Sequence, residues 1–384
     1  LVEGLLKQIR VGSIAIILPD GTRLQSEMAH PDLHATIVVH EPSALRKLIL
    51  GGSIGFSESF IAGDWESPDL SKLIEILALN GEILAGRLGG SPPMRAANYL
   101  LHRLKRNSRQ GSKKNIRYHY DLGNDFYAKW LDPDMIYSSA IYTNCGEDLA
   151  QAQRNKIARI VDLLDLSEQQ SVLEIGCGWG ALSRYIAEEK KARVHGITLS
   201  NQQLSYAQEV VRRSAEKNLV SLALTDYRDV EATYDRIVSI EMIEAVGEEF
   251  LPHYFQTIRD RLNPDGQAVI QAITIDENRF DRYKSTPDFI QRYIFPGGFL
   301  TTKSMMSKYT DAAGLELRHA EFFGQSYAWT LNEWRTRFIA NWPEISQLGY
   351  SEKFRNMWEF YLAYCEGGFN AGAIDVGLYV LKQK

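Results

Sequence analysis

Apolar and polar positions follow two different periods along this chain. Strand-like runs at residues 14–18 and 35–39, with helix-like runs at 43–50 and 70–79, predict a small α/β or α+β module at the start. The glycine-punctuated, aromatic stretch 52–65 between them reads as a helix closed by Gly63, with Trp65 packed on the core. Gly86, Gly89, Gly90, Pro92 and Pro93 then break the pattern. From about residue 150 helical and strand periods alternate. Helix 151–164 precedes strand 171–175, helix 181–189 precedes strand 193–197, and helix 201–217 precedes strands 221–224 and 235–239. A further helix, 251–262, leads to the apolar run 268–275. Such βα repetition predicts a mostly parallel sheet with helices on both faces. The expected division is an N-terminal lipid- or membrane-associated domain at 1–100, a basic linker at 101–117 and a catalytic domain at 118–384.

Composition narrows this further. The chain has 384 residues, 45% hydrophobic and 24% charged, which excludes a wholly disordered polymer and allows a large core without disulfides. A net charge of −5 does not mark a nucleic-acid binder. Cys145, Cys177 and Cys365 show neither zinc-site spacing nor a disulfide framework, so a reducing cytoplasm is the expected compartment and no metal is expected. No apolar run approaches the roughly 20 residues that span a bilayer, and no signal peptide is read. Because the chain opens on Leu1, further residues are expected before it. Arg103, Lys105, Arg106, Arg109, Lys113, Lys114 and Arg117 place seven positive charges between Leu101 and Arg117 without an acid among them. They fit either a solvated connector or contact with an anionic surface, where each contributes about 1 kcal/mol. Tyr99, Leu100, Leu101 and Leu104 would suit partial insertion at such a surface.

The most informative stretch runs from Val172 to Gly180. A buried strand carrying Glu174 enters Gly176, Gly178 and Gly180, and a helix follows. Glycines there allow a tight turn and let a ligand approach the backbone. The spacing is G-x-G-x-G and not the dinucleotide G-x-G-x-x-G. With Glu174 two residues upstream, this favours S-adenosylmethionine, which has no pyrophosphate to seat. Thr198, Ser200 and Gln203 follow the second strand, where a carboxylate would often hold ribose hydroxyls. Asp226 and Tyr227 follow the third, offering a carboxylate for an adenine amino group and a ring for stacking.

These stretches, together with Asn115–Tyr127, Tyr137–Ala140, Gly196–Ser200, Ser239–Gly247, Tyr293–Gly298 and Tyr327, resemble the cyclopropane-fatty-acyl-phospholipid synthase family and the related mycolic acid methyltransferases. The resemblance runs from about residue 50 to the C-terminus. It implies a class I S-adenosylmethionine-dependent methyltransferase fold, Rossmann-like with a mixed seven-stranded sheet, behind a smaller N-terminal α/β domain. It implies methylene transfer from S-adenosylmethionine to a cis double bond of a phospholipid acyl chain, with Tyr137 and Ser138 joining the cofactor site. A bound bicarbonate would act as base, held by Glu244, Tyr327, the residue at 271 and backbone groups of Ser139 and Ile273. A homodimer on the inner face of the membrane is also implied.

An alkene is a weak nucleophile, so such chemistry needs a dry site with the reacting carbons held close. Aromatic faces can stabilise the cation that follows, and Tyr293, Phe295, Tyr327, Tyr361, Tyr364 and Phe369 are candidates. Glu241 lies three residues before Glu244; a helical segment would put both carboxylates on one face, sharing a raised pKa. Two positions depart from the family pattern. Ser139 replaces a cysteine, and Gln271 stands where histidine is expected, which removes a titratable group but keeps a donor and an acceptor. The expected activity is therefore cyclopropane synthesis, with a methylene- or methyl-branched product as the alternative. A nucleic-acid methyltransferase is a weaker rival, since no aromatic residues interleave the basic run. A lipid-binding protein with a relic cofactor site is another.

Overall fold

The computed structural model describes residues 2–27, 32–88, 111, 122–144 and 146–384, with the backbone alone at 45, 48–50 and 85–88. The basic run 103–117, the interfacial residues 99–104, most of the 115–127 motif and Cys145 lie outside the described residues. Contacts gather the chain into two compact units. The first joins Leu1–Leu104 with Asn278–Ile294 and Ala328–Ile374, and the second joins Lys105–Glu277 with Phe295–Tyr327 and Asp375–Lys384. This departs from the contiguous boundaries expected near 100 and 117: segments far down the chain return to the first unit because they complete its core.

In the first unit, β1 (Ser13–Ile17), β2 (Arg23–Gln25), β3 (His34–Val39) and β4 (Trp65–Glu66) form a sheet of order β2-β1-β3-β4. β1 and β3 are parallel and the outer pairs antiparallel. The helix expected at 43–50 runs on to Ile61, bent at Gly52. Gly63 closes it in a left-handed conformation, and Trp65 is buried with its ring stacked on Phe56 at 4.3 Å. The late helix Glu352–Asn370 brings Phe360 against Phe60 and Phe289, at 5.5 and 4.9 Å between ring centres. It crosses Leu70–Leu79 so closely that a Cβ on Gly367 would meet the Ser71 carbonyl oxygen at 2.7 Å. A side chain there would prise the helices apart.

The second unit is built on β5 (Ser171–Ile175), β6 (Arg193–Thr198), β7 (Val220–Leu224), β8 (Tyr234–Ile240), β9 (Leu262–Ile275), β10 (Leu315–Phe322) and β11 (Ile374–Gln383). Their order is β10-β11-β9-β8-β5-β6-β7. β9, β8, β5, β6 and β7 are parallel neighbours, and β10 and β11 pair antiparallel. Helices Leu149–Leu164 and Ala181–Lys190 share one apolar cluster with Val172, Val194, Val238 and Val269 of the sheet. Ile237, next to Val238, points to the opposite side and is also fully buried, so both faces are covered. The strands expected from the apolar runs are present. Helix Asn201–Arg212 stops earlier than the expected 217, before a short 3-10 turn at Lys217–Leu219.

Candidate active site

Five adjacent parallel strands end at one edge of the sheet, and the loops that leave them carry the candidate residues. Parallel order reverses direction between β5 and β8, the place where open α/β sheets bind ligands. Gly176 and Gly178 follow β5 with φ of 86° and 52°, and the amides of Gly176 and Cys177 bond the Ile197 carbonyl of β6. A Cβ on Gly178 would meet nothing within 4 Å, so the turn presents open backbone there. Gly180, at φ 86°, has another duty: its missing side chain lets Ala207 approach to 3.0 Å of the Cβ position. Glu174 is buried at the end of β5 and accepts a short bond from Ser183; burial pushes its carboxyl up to about 7.

After β6, the Thr198 hydroxyl donates to Gln203 Oε1 at 3.0 Å, and Ser200 caps helix Asn201–Arg212. All three are buried. After β7, Asp226 receives both arms of the Arg228 guanidinium at 2.8 and 2.6 Å, with both side chains inside the protein. That partner was not expected from sequence. It fixes the plane of the carboxylate. Tyr227 packs edge-on against Tyr254 at 5.5 Å. Trp179 of the glycine turn donates to Asn124 Oδ1 at 2.8 Å and packs against Tyr127, which in turn packs against Tyr137. These loops form an edge lined by glycine backbone, neutral polar groups, a fixed carboxylate and aromatic rings. That set fits an adenosine carrying a cationic amino acid, as S-adenosylmethionine does.

β8 and β9 supply the acids. Glu241 follows β8 with φ 48°, a left-handed conformation that costs a non-glycine residue about 1 kcal/mol. It therefore shares no helical face with Glu244, which sits in the 3-10 turn Ile243–Ala245, and that expectation is corrected. The carboxylates instead meet successive positions on β9. Glu244 Oε1 accepts from the Ile273 amide at 2.7 Å, and its Oε2 is buried without a hydrogen-bond partner among the described residues. Glu241 Oε1 accepts from the Ser139 amide at 2.8 Å and from Gln271 Nε2 at 2.7 Å; its Oε2 accepts from the Tyr327 hydroxyl at 2.6 Å. Burial raises both carboxyls. Glu244 reaches about 8, pushed further by the Glu241 charge, while Tyr327, Ser139, Lys156 and Gln271 pull Glu241 back towards the ionised form.

Ser139, Gln271 and Tyr327 are thus brought together as expected, but around Glu241. The donors that would hold a bicarbonate are turned onto a side chain of the protein, and these residues do not fit a bound bicarbonate as they stand.

Two further residues support the site and were not singled out from sequence. Lys156 Nζ donates to Ser138 Oγ at 2.8 Å, and Gln153 Nε2 donates to the Ser138 carbonyl at 2.9 Å. Burial pulls the lysine down to about 8, against the carboxylates of Glu241, Asp132 and Glu174. Their signal was visible: both are polar residues on the apolar stripe of helix Leu149–Leu164, beside Ala152, Ile157 and Ile160. Among the aromatic candidates, Tyr293, Tyr361, Tyr364 and Phe369 belong to the first unit, and Phe295 and Tyr327 to the second.

Comparison with known proteins agrees with this geometry. The chain is 38% identical over 359 residues to the tuberculostearic acid methyltransferase UfaA1 of Mycobacterium tuberculosis, covering 90% of this chain and 83% of that protein. It is 34% identical over 352 residues to the cyclopropane-fatty-acyl-phospholipid synthase of Escherichia coli, covering 89% and 86%. The crystal structure of the mycolic acid cyclopropane synthase CmaA1 complexed with SAH and CTAB superposes with a TM-score of 0.67 at 30% identity, over 71% of this chain and 98% of that one. The fold is that of class I methyltransferases. The model of the mycolic acid cyclopropane synthetase family matches residues 107–378. The chain belongs to that family, as an S-adenosylmethionine-dependent methyltransferase.

Proposed function

We propose that the protein adds a one-carbon unit to the cis double bond of a lipid acyl chain and releases an open, methylene-branched product. One observation carries the choice of product: Ser139, Gln271 and Tyr327 converge on Glu241, so these donors are taken by a side chain of the protein and not left for a mobile anion. The names of the relatives support a lipid acyl chain as substrate, and the tuberculostearic acid methyltransferase supports methylation without a ring.

When bound, S-adenosylmethionine supplies a methyl group activated by the adjoining sulfonium. Gly176, Gly178, Thr198, Gln203, Asp226 and Tyr227 would hold it, with Tyr137 and Ser138 closing over it. Burial of Glu174, Lys156 and Gln271 keeps the surroundings poor in water, which an alkene needs to compete as a nucleophile. Methylation leaves a secondary cation on the acyl chain. A mobile base beside the new methyl would take its proton at once and close a ring. Where the base is instead fixed to the chain and meets the methyl only later, a hydride first shifts from the methylated carbon to give a tertiary cation, and loss of a methyl proton then leaves an exocyclic methylene.

The same reading places the encounter at an anionic bilayer surface, supported by the seven basic residues between Leu101 and Arg117. A homodimer is its expected assembly, by resemblance. Ring closure is the second reading, supported by the similarity to the Escherichia coli synthase. The test is incubation with dioleoyl phosphatidylglycerol vesicles and methyl-labelled S-adenosylmethionine, followed by mass spectrometry of the released acyl chains. A gain of one CH2 unit that then takes up hydrogen under mild catalysis is the expected result. A gain that resists hydrogenation would assign ring closure, and no gain would defeat both readings.

A further inference from the structure

The sheet edge holds one carboxylate more than the expected site needs. Glu244 is the acid that the family resemblance assigns to the base-holding group, and it already receives the Ile273 amide. Glu241 is additional, and it takes every other donor. Its Oε1 accepts two hydrogen bonds and its Oε2 one, from Tyr327, so Oε2 keeps a lone pair not engaged by any described residue. The backbone beneath it is in the left-handed region, where glycine would sit without strain. A strained glutamate at such a position points to a need for its side chain. The acid also faces Lys156, whose charge favours its ionised form. Next to it, Glu244 Oε2 and Gln271 Oε1 are buried without partners among the described residues, so the cluster is not an inert, fully satisfied network.

We propose that Glu241 is a resident base, a carboxylate of the chain that takes over the donors of a free bicarbonate, accepts the proton after the hydride shift and removes the need for the ion. This rests on the reading of the site as one that methylates an alkene. In the step concerned, the C–H bond of the transferred methyl breaks. Its electron pair becomes the π bond of the exocyclic methylene, and the proton passes to Glu241 Oε2. The positive charge on the acyl chain is thereby discharged, and no further reactant is consumed. Tyr327, Gln271 and the Ser139 amide hold the carboxylate in place, so they act as positioning groups.

The test uses the full chain and its Glu241→Gly and Glu241→Gln variants, in buffer stripped of carbon dioxide and then supplied with bicarbonate or formate. Glycine relieves the left-handed strain, so that variant should fold, and S-adenosylmethionine affinity checks that it does. The unaltered protein should change rate by less than about twofold on adding bicarbonate. Glu241→Gly should lose roughly 100-fold or more and regain at least a tenth of the lost rate with either anion. Glu241→Gln, whose amide fills the space without basicity, should be equally slow and gain nothing. Calorimetric titration with bicarbonate gives a readout apart from turnover: Glu241→Gly should bind it and the unaltered protein should not. A rate of the unaltered protein that saturates with bicarbonate, or equal bicarbonate binding by both proteins, would overturn the proposal. So would a folded Glu241→Gly that no anion rescues. If neither protein alkylates lipid, the functional reading fails, while the binding comparison still decides whether Glu241 fills the anion's place.

Discussion

At the scale of single residues, the acids differ in what surrounds them. Glu241 has three donors that offset the rise burial gives its carboxyl, whereas Glu244 has one and holds a proton. Its carboxyl titrates at about 8 when folded, against an ordinary value of 4.5. Between those values the folded chain keeps a proton that the unfolded chain gives up. The stability this provides is complete at low pH and is lost as pH rises towards 8. Lys156 does not mask the trend, because its lowered value of about 8 makes it contribute only above that pH. Urea unfolding between pH 5 and 8 should therefore show the natural chain losing about 2 kcal/mol more than Glu244→Gln over the interval. Parallel curves for the two proteins would mean that Glu244 is ionised in the folded state. Glu244, Gln271, Tyr327 and Ser139 were reached through the family resemblance of the stretches that hold them, and the fold brings them to one edge of the sheet. The role of Glu241 was not legible, because a left-handed backbone at a residue other than glycine leaves no trace in composition. Arg228 escaped for a similar reason, since a charged loop residue gives no hint that it is buried against Asp226.

At the scale of elements, the strand-to-helix turn shows how one motif divides its labour. Gly178 faces open space and Gly180 faces Ala207. Gly180→Val should lower stability by about 2 kcal/mol, through both its left-handed backbone and the collision with helix Asn201–Arg212. Thermal unfolding would register this as a fall of several degrees. Gly178→Ala should cost about 1 kcal/mol or less in the fold but weaken S-adenosylmethionine binding severalfold in calorimetry. If the two variants exchange these effects, the division is wrong. The strands and helices of this region were legible because parallel strands covered on both faces are continuous apolar runs, and the helices between them carry apolar stripes. Ends were less so. The helix expected at 43–50 and the helix expected from 52 to Gly63 are one element, Ser43–Ile61, bent at Gly52.

At the scale of the whole molecule, the chain passes between its two units more than once, and no linear boundary separates them. Sequence pattern could not reveal this, because it reports what neighbours along the chain do and not which distant segments share a core. A fragment of residues 105–384 would keep Phe289 and Phe360 but lose Phe56, Phe60 and Trp65, against which Phe360 and its neighbours pack. It should bind the dye ANS strongly and elute as aggregate in size-exclusion chromatography. A monodisperse, dye-silent fragment would show that the remote segments hold together without the first 104 residues. The arrangement around Glu241 reaches furthest. An acid tethered to the polypeptide has a local concentration set by geometry and not by supply. Dissolved inorganic carbon, by contrast, escapes as gas when the surroundings turn acidic. A lipid-modifying catalyst built this way would keep its pace through swings in respiration and aeration that would starve one dependent on a borrowed ion.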